Sequence, residues 1–81
     1  MYKAMTIEVL TPDDRLYVGE GTMVVAPGKD GNLGIMENHA PLITTLKEGK
    51  VEIETPEGRK SFDVSGGVLE VLKNKVIVLA E

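Results

Sequence analysis

Cysteine is absent from the 81 residues, which excludes disulfide staples and thiolate metal sites. Tryptophan is absent too, and two tyrosines and one phenylalanine are the whole aromatic complement. A free-standing β-sandwich that binds a small ligand or carbohydrate, the competing reading from another functional class, would need aromatic platforms around a concave site. The one histidine, His39, and the two serines, Ser61 and Ser65, leave little from which to build a nucleophile and its base. No apolar run approaches the roughly 18–20 residues that cross a bilayer as a helix. The amino terminus, Met1 to Thr6, lacks the long apolar stretch of a signal peptide. The sequence therefore reads as soluble and unexported. A formal charge of −4 lacks the basic excess of a nucleic-acid binder.

What is present suits one small domain over residues 1–81. Such a domain buries only about 60–65% of the surface that its unfolded chain exposes, so a partner covering more apolar surface would stabilise it. Hydrophobic residues make up 42%, enough to form a core. Nearly every segment alternates with period two, and none holds a helical period. Strands are expected at Thr6–Val9, Leu16–Val18, Thr22–Ala26, Leu42–Leu46, Val51–Thr55, Val68–Leu72 and Val76–Ala80. Gly19-Glu20-Gly21 reads as a bulge or bend, and Pro27 to Gly31 as a loop. Thr55-Pro56-Glu57-Gly58 is a turn with proline at its second position. Short strands with a turn every 8–12 residues predict an all-β fold, a two-sheet antiparallel β-sandwich of about eight to ten strands.

Candidate sites reduce mostly to turn chemistry. Glu37-Asn38-His39 has no metal-ligand spacing. Gly28, Gly31 and Gly34 lack the following helix and Lys-Ser/Thr pair of a phosphate loop. Asp30-Gly31-Asn32 has no glutamate at the twelfth position of a calcium loop, where Pro41 stands. Asp13, Asp14 and Glu20 lie in apparent turns, where carboxylates are solvated. No catalytic residue, metal or cofactor is expected. Val68–Leu72, Val76–Leu79 and Met23–Ala26 are apolar on both faces, which a half-exposed sheet should not be. Either these strands are covered on both sides within the domain, or one sheet presents an interaction surface. In the second case outward positions such as Ile77 and Leu79 would carry it.

Two stretches stand out: Gly31-Asn32-Leu33-Gly34-Ile35-Met36-Glu37-Asn38-His39-Ala40-Pro41-Leu42, and Val64-Ser65-Gly66-Gly67-Val68-Leu69-Glu70-Val71 followed by Asn74 to Ala80. In this order and separation, the pair resembles the amino-terminal domain of the epsilon subunit of F-type ATP synthases, from about Met5 to Glu81. The resemblance implies a β-sandwich on the central stalk of a proton- or sodium-translocating enzyme. It also implies the gamma subunit and the c-ring as partners. Such a subunit is non-catalytic and peripheral, at the cytoplasmic face of a bacterial inner (plasma) membrane. The Gly31–His39 loop would belong to the c-ring end, with Asn32, Glu37, Asn38 and His39 as contacts. Thr44 and Ser65 would lie toward gamma with Ile77 and Leu79. The family often has glutamate where Asn32 stands and proline-glycine where this chain has Glu37-Asn38, so the resemblance implies an acid moved along the loop. Typical members continue beyond Ala80 into a helical hairpin that can inhibit ATP hydrolysis and in some binds ATP. The sequence stops at Glu81, which implies coupling without those helices.

Overall fold

A computed structural model describes residues 4–81; the first three residues of the expected 1–81 domain lie outside the described residues. Nine strands account for nearly all of the described chain: β1 (Met5–Leu10), β2 (Arg15–Gly21), β3 (Met23–Gly28), β4 (Gly31–Met36), β5 (Leu42–Leu46), β6 (Gly49–Thr55), β7 (Gly58–Val64), β8 (Gly67–Leu72) and β9 (Lys75–Ala80). They form two packed layers. One has the order β2-β1-β9-β8-β5 and the other β4-β3-β6-β7, and the single Gly28–Leu46 pair joins them into one continuous sheet folded on itself. The expected all-β, two-layer antiparallel architecture holds, with one parallel pair, β1 and β9, inside it.

Period-two alternation decides which side chains enter the core. Met5, Ile7 and Val9 of β1 are buried, as are Leu69 and Val71 of β8 and Val76, Val78 and Ala80 of β9. From the other layer Val24, Ala26, Ile35, Val51, Ile53 and Val64 meet them. Tyr17 of β2 and Phe62 of β7 lie with ring centroids 6.3 Å apart, so a tilted aromatic pair packs between these two strands. The Tyr17 hydroxyl donates to the Glu20 carbonyl at 2.7 Å, which gives its polar tip a partner. No buried side-chain nitrogen or oxygen lacks a hydrogen bond among the described residues.

Three two-residue turns set hairpin registers, at Lys29-Asp30, Pro56-Glu57 and Lys73-Asn74. The first corrects the loop expected over Pro27–Gly31. Pro27 and Gly28 finish β3, and Gly31 begins β4. Proline is tolerated there because Gly28–Gly31 is the closing pair, and the next pair, Pro27–Asn32, is a position where the ladder asks no N–H of it. The Pro27 carbonyl instead accepts from the Lys47 N–H at 2.9 Å. The expected bulge at Gly19–Gly21 is corrected as well: β2 pairs with β1 in register through all three residues, and the irregularity falls between Val9 and Leu10. Residues 31–39, read as one loop, are a strand followed by a short turn.

At Ser65-Gly66 the chain crosses from one layer to the other. Gly67 then has φ +139°, and a Cβ there would stand 2.2 Å from the Leu79 carbonyl oxygen. Only glycine fits that approach of β8 to β9.

Candidate docking surface

Register fixes the outer face of the five-stranded layer. Residues paired across neighbouring strands share a face, so Ile43, Glu70, Ile77, Glu8 and Val18 form one row across all five strands. The next row holds Thr45, Val68, Leu79, Leu10 and Arg15, and a third holds Leu72, Lys75, Thr6 and Glu20. Ile43 is 71% exposed, Leu72 57%, Val18 53% and Leu79 50%. Leu16 and Val68 are also exposed. Thus six of the seven exposed large hydrophobics among the described residues belong to this layer's outer face; the seventh is Met36. These strands are not covered by the domain's own layers. Of the two readings open to the sequence, the geometry selects an exposed apolar face for Val68–Leu72 and Val76–Leu79, while Met23–Ala26 lies in the other layer with Met23 and Val25 half-buried.

The charged residues of this face are Glu8, Arg15, Glu20, Glu70 and Lys75, and they are partly neutralised. Lys75 Nζ lies 3.4 Å from Glu8 Oε2, and Glu70 sits among Ile43, Ile77, Val68 and Leu72 by pairing and strand spacing. The other layer's outer face differs. Arg59 pairs with Glu54 and approaches Glu52, and Lys50 Nζ meets Asp63 Oδ1 at 2.9 Å. The Asp63 hydrogen bond and charge raise the Lys50 ammonium above its ordinary 10.5. That is a mixed, solvated face.

The eight expected site residues separate into distinct places. Ile77 and Leu79 lie on the apolar face, Leu79 exposed and Ile77 half-buried. Thr44 pairs with Leu69, which is fully buried, so it shares the inward side. It belongs to the interior rim and not to the outer face. Ser65 is exposed between the layers, and its hydroxyl donates to the Glu81 carbonyl at 3.2 Å. Asn32 and Glu37–His39 are at opposite ends of β4, roughly 16 Å apart at about 3.3 Å per strand residue. They form two separate groups, one at each end of β4. Missed by the sequence reading were Leu16, Val18 and Glu70, whereas the resemblance places Ile43 toward gamma as part of Leu42-Ile43-Thr44. Ile43 is also legible as an apolar residue at an outward position of Leu42–Leu46.

The Glu37–His39 turn is pinned internally. Asn38, at φ +65°, donates its N–H to Asn74 Oδ1 at 3.0 Å, tying the β4–β5 connection to the β8–β9 turn. The His39 N–H donates to the Met36 carbonyl, and its Nδ1–H to the Ala40 carbonyl at 2.7 Å. Ser65 lies at the far end of the sandwich, beside Glu81, and does not pair with His39. No group of three or more acidic or histidine side chains among the described residues is placed to hold a metal. The groove along Leu10–Arg15 is an open turn without an aromatic platform.

By class, the described residues form an all-β sandwich domain with one exposed apolar sheet face. A family model for the β-sandwich domain of the ATP synthase delta/epsilon chain matches residues 4–81, and the chain belongs to that family. It is 51% identical over 79 residues to the ATP synthase epsilon chain of Brevibacillus brevis, covering 95% of this chain and 59% of that one. It is 44% identical over 80 residues to the ATP synthase epsilon chain of Chlorobium limicola, covering 98% of this chain and 91% of that one. A chain in the cryo-EM structure of the Euglena gracilis mitochondrial ATP synthase (OSCP/F1/c-ring) superposes with a TM-score of 0.89 at 17% identity, over 99% of this chain and 52% of that one. That likeness shows the shared fold. The chain thus spans little more than half the length of several relatives and nearly all of another.

Proposed function

We propose that the chain is a central-stalk subunit of an F-type proton- or sodium-translocating ATP synthase. The outer face of the β2-β1-β9-β8-β5 layer docks on gamma, and one end of the sandwich meets the c-ring. The observation that carries this reading is the gathering of Leu16, Val18, Ile43, Val68, Leu72 and Leu79 on one sheet face in a domain of this family. Exposed apolar area of that extent on a small domain marks an interaction site. A rigid sandwich touching both partners transmits torque and contributes no group to ATP hydrolysis. The complex holds it at the cytoplasmic face of a bacterial membrane.

Of the two ends, the one bearing Asn32 fits the ring better. Lys29, Asp30 and Asn32 are exposed and offer donors and acceptors that no neighbouring side chain uses among the described residues. At the other end, the Asn38 backbone N–H and His39 Nδ1 are bonded within the chain. His39 there shapes a turn.

Reconstitution tests the reading. Adding the chain to membranes whose ATP synthase lacks epsilon should restore ATP-driven ion pumping, and immobilised chain should capture purified gamma. Failure to bind gamma, with pumping unrestored, would overturn it.

A further inference from the structure

The outer sheet face carries two carboxylates in one row, and they differ in company. Glu8 has Lys75 at 3.4 Å. Glu70, two strands away, pairs with Ile43 on one side and Ile77 on the other. Along its own strand the next residues on that face are Val68 and Leu72, both exposed. Glu70 is itself partly buried among them, and no cation pairs with it among the described residues. The cation on the neighbouring strand, Lys75, is held by Glu8. The centre of the apolar patch is thus one acid enclosed by four hydrophobic side chains.

A docking partner that covers Ile43, Val68, Leu72 and Leu79 must also cover Glu70. Covering a lone carboxylate with apolar groups is costly. Enclosing it with an arginine or lysine of the partner, in a ring of excluded water, is far less so and sets the register of the two surfaces. We infer that Glu70 is the specificity determinant of the face, recognising a partner surface that is apolar with one cationic side chain at its centre. The inference rests on the docking reading above and names the chemistry that the docked surface must present. A partner that was apolar alone would bind better without the acid, so the sign of a neutralising substitution separates the two cases.

The experiment measures the affinity of the full chain for purified gamma at low and at high salt. It compares wild type with Glu70→Gln, Glu70→Lys and Leu79→Asp, each checked by thermal melting. Glu70→Gln keeps the side chain's size and lies on the surface, so it leaves the fold intact. The inference expects Glu70→Gln to weaken binding about tenfold and Glu70→Lys at least a hundredfold. It also expects a shallower salt dependence for Glu70→Gln than for wild type. Binding by Glu70→Gln that equals or exceeds wild type, while Leu79→Asp abolishes it, overturns the inference and leaves the docking face standing. Absence of wild-type binding overturns both.

Discussion

Gly67→Ala is expected to be among the most damaging single-methyl changes in this chain, and its cost has two separable parts. The first is conformational: φ is +139°, and holding a non-glycine residue in such a region costs about 1–3 kcal/mol. The second is steric. The new Cβ would stand 2.2 Å from the Leu79 carbonyl oxygen and 3.0 Å from the Ala80 Cα. Both atoms are backbone, so β8 must move off β9, at about 1–3 kcal/mol more. The total of about 2–6 kcal/mol is a large share of the roughly 4–12 kcal/mol expected for a domain of this size. Gly31→Ala is the matched control, because φ is +136° with nothing within 4 Å of the added Cβ. It bears the first part without the second. At about 4–8 °C per kcal/mol, the steric part alone should make Gly67→Ala melt roughly 4–24 °C below Gly31→Ala in a calorimetric scan. It should also lose gamma binding, since Val68 and Leu79 are adjacent on the displaced strands. Equal melting temperatures for the two variants would refute the close approach of β8 to β9.

Other consequences are smaller. Asn38 holds φ +65°, so Asn38→Gly should leave the melting temperature nearly unchanged, whereas Asn38→Ala should cost about 1 kcal/mol; chemical denaturation of the pair checks this, and equal loss in both would refute the left-handed turn. Asn74→Ala removes the acceptor of the Asn38 N–H and should cost about 0.5–1.5 kcal/mol. The Lys50 ammonium is raised by Asp63, so their pairing stabilises the fold fully below the unfolded lysine value of 10.5 and is lost as pH climbs through the raised folded value. In melts followed across that range, Asp63→Asn should differ slightly from wild type at neutral pH and converge with it in strong alkali; divergence toward alkali would contradict the sign.

Seven of the nine strands, all but β4 and β7, were legible because one face of each is buried, which imposes alternation strict enough to read: Met5-Ile7-Val9 and Leu69-Val71 are the same pattern in sequence and in space. The Thr55–Gly58 turn was legible because proline and glycine occupy their required places. Pro27 misled, since tolerance of proline depends on which strand position needs an N–H, and that depends on pairing. The Gly19-Glu20-Gly21 step misled for a related reason: glycine in a strand marks a bend or a close neighbour, and here the Tyr17 hydroxyl lies 2.9 Å from where a Gly19 Cβ would be. The parallel β1–β9 pair is a fact of topology that no local pattern encodes. For the site, apolar residues on both faces of β8 and β9 pointed to the outer surface. Sequence proximity joined Asn32 to His39, which an extended strand holds apart. Glu70 was invisible, because its isolation is defined by Ile43 and Ile77 on two other strands.

The central claim is that the outer face of the five-stranded layer is a docking surface and not a piece of core. Leu79→Asp tests it most directly, with stability and gamma affinity measured on the same preparation. Leu79 is half exposed, so an aspartate there still reaches water in the isolated chain and should cost about 1 kcal/mol of stability or less. Covered by a partner, the same carboxylate is an unpaired charge at an apolar interface, costing several kcal/mol. The account predicts a melting temperature lowered by only a few degrees together with at least a hundredfold loss of affinity. An unfolded variant would place Leu79 in the core, and unchanged affinity would place the docking surface elsewhere; either result contradicts the account.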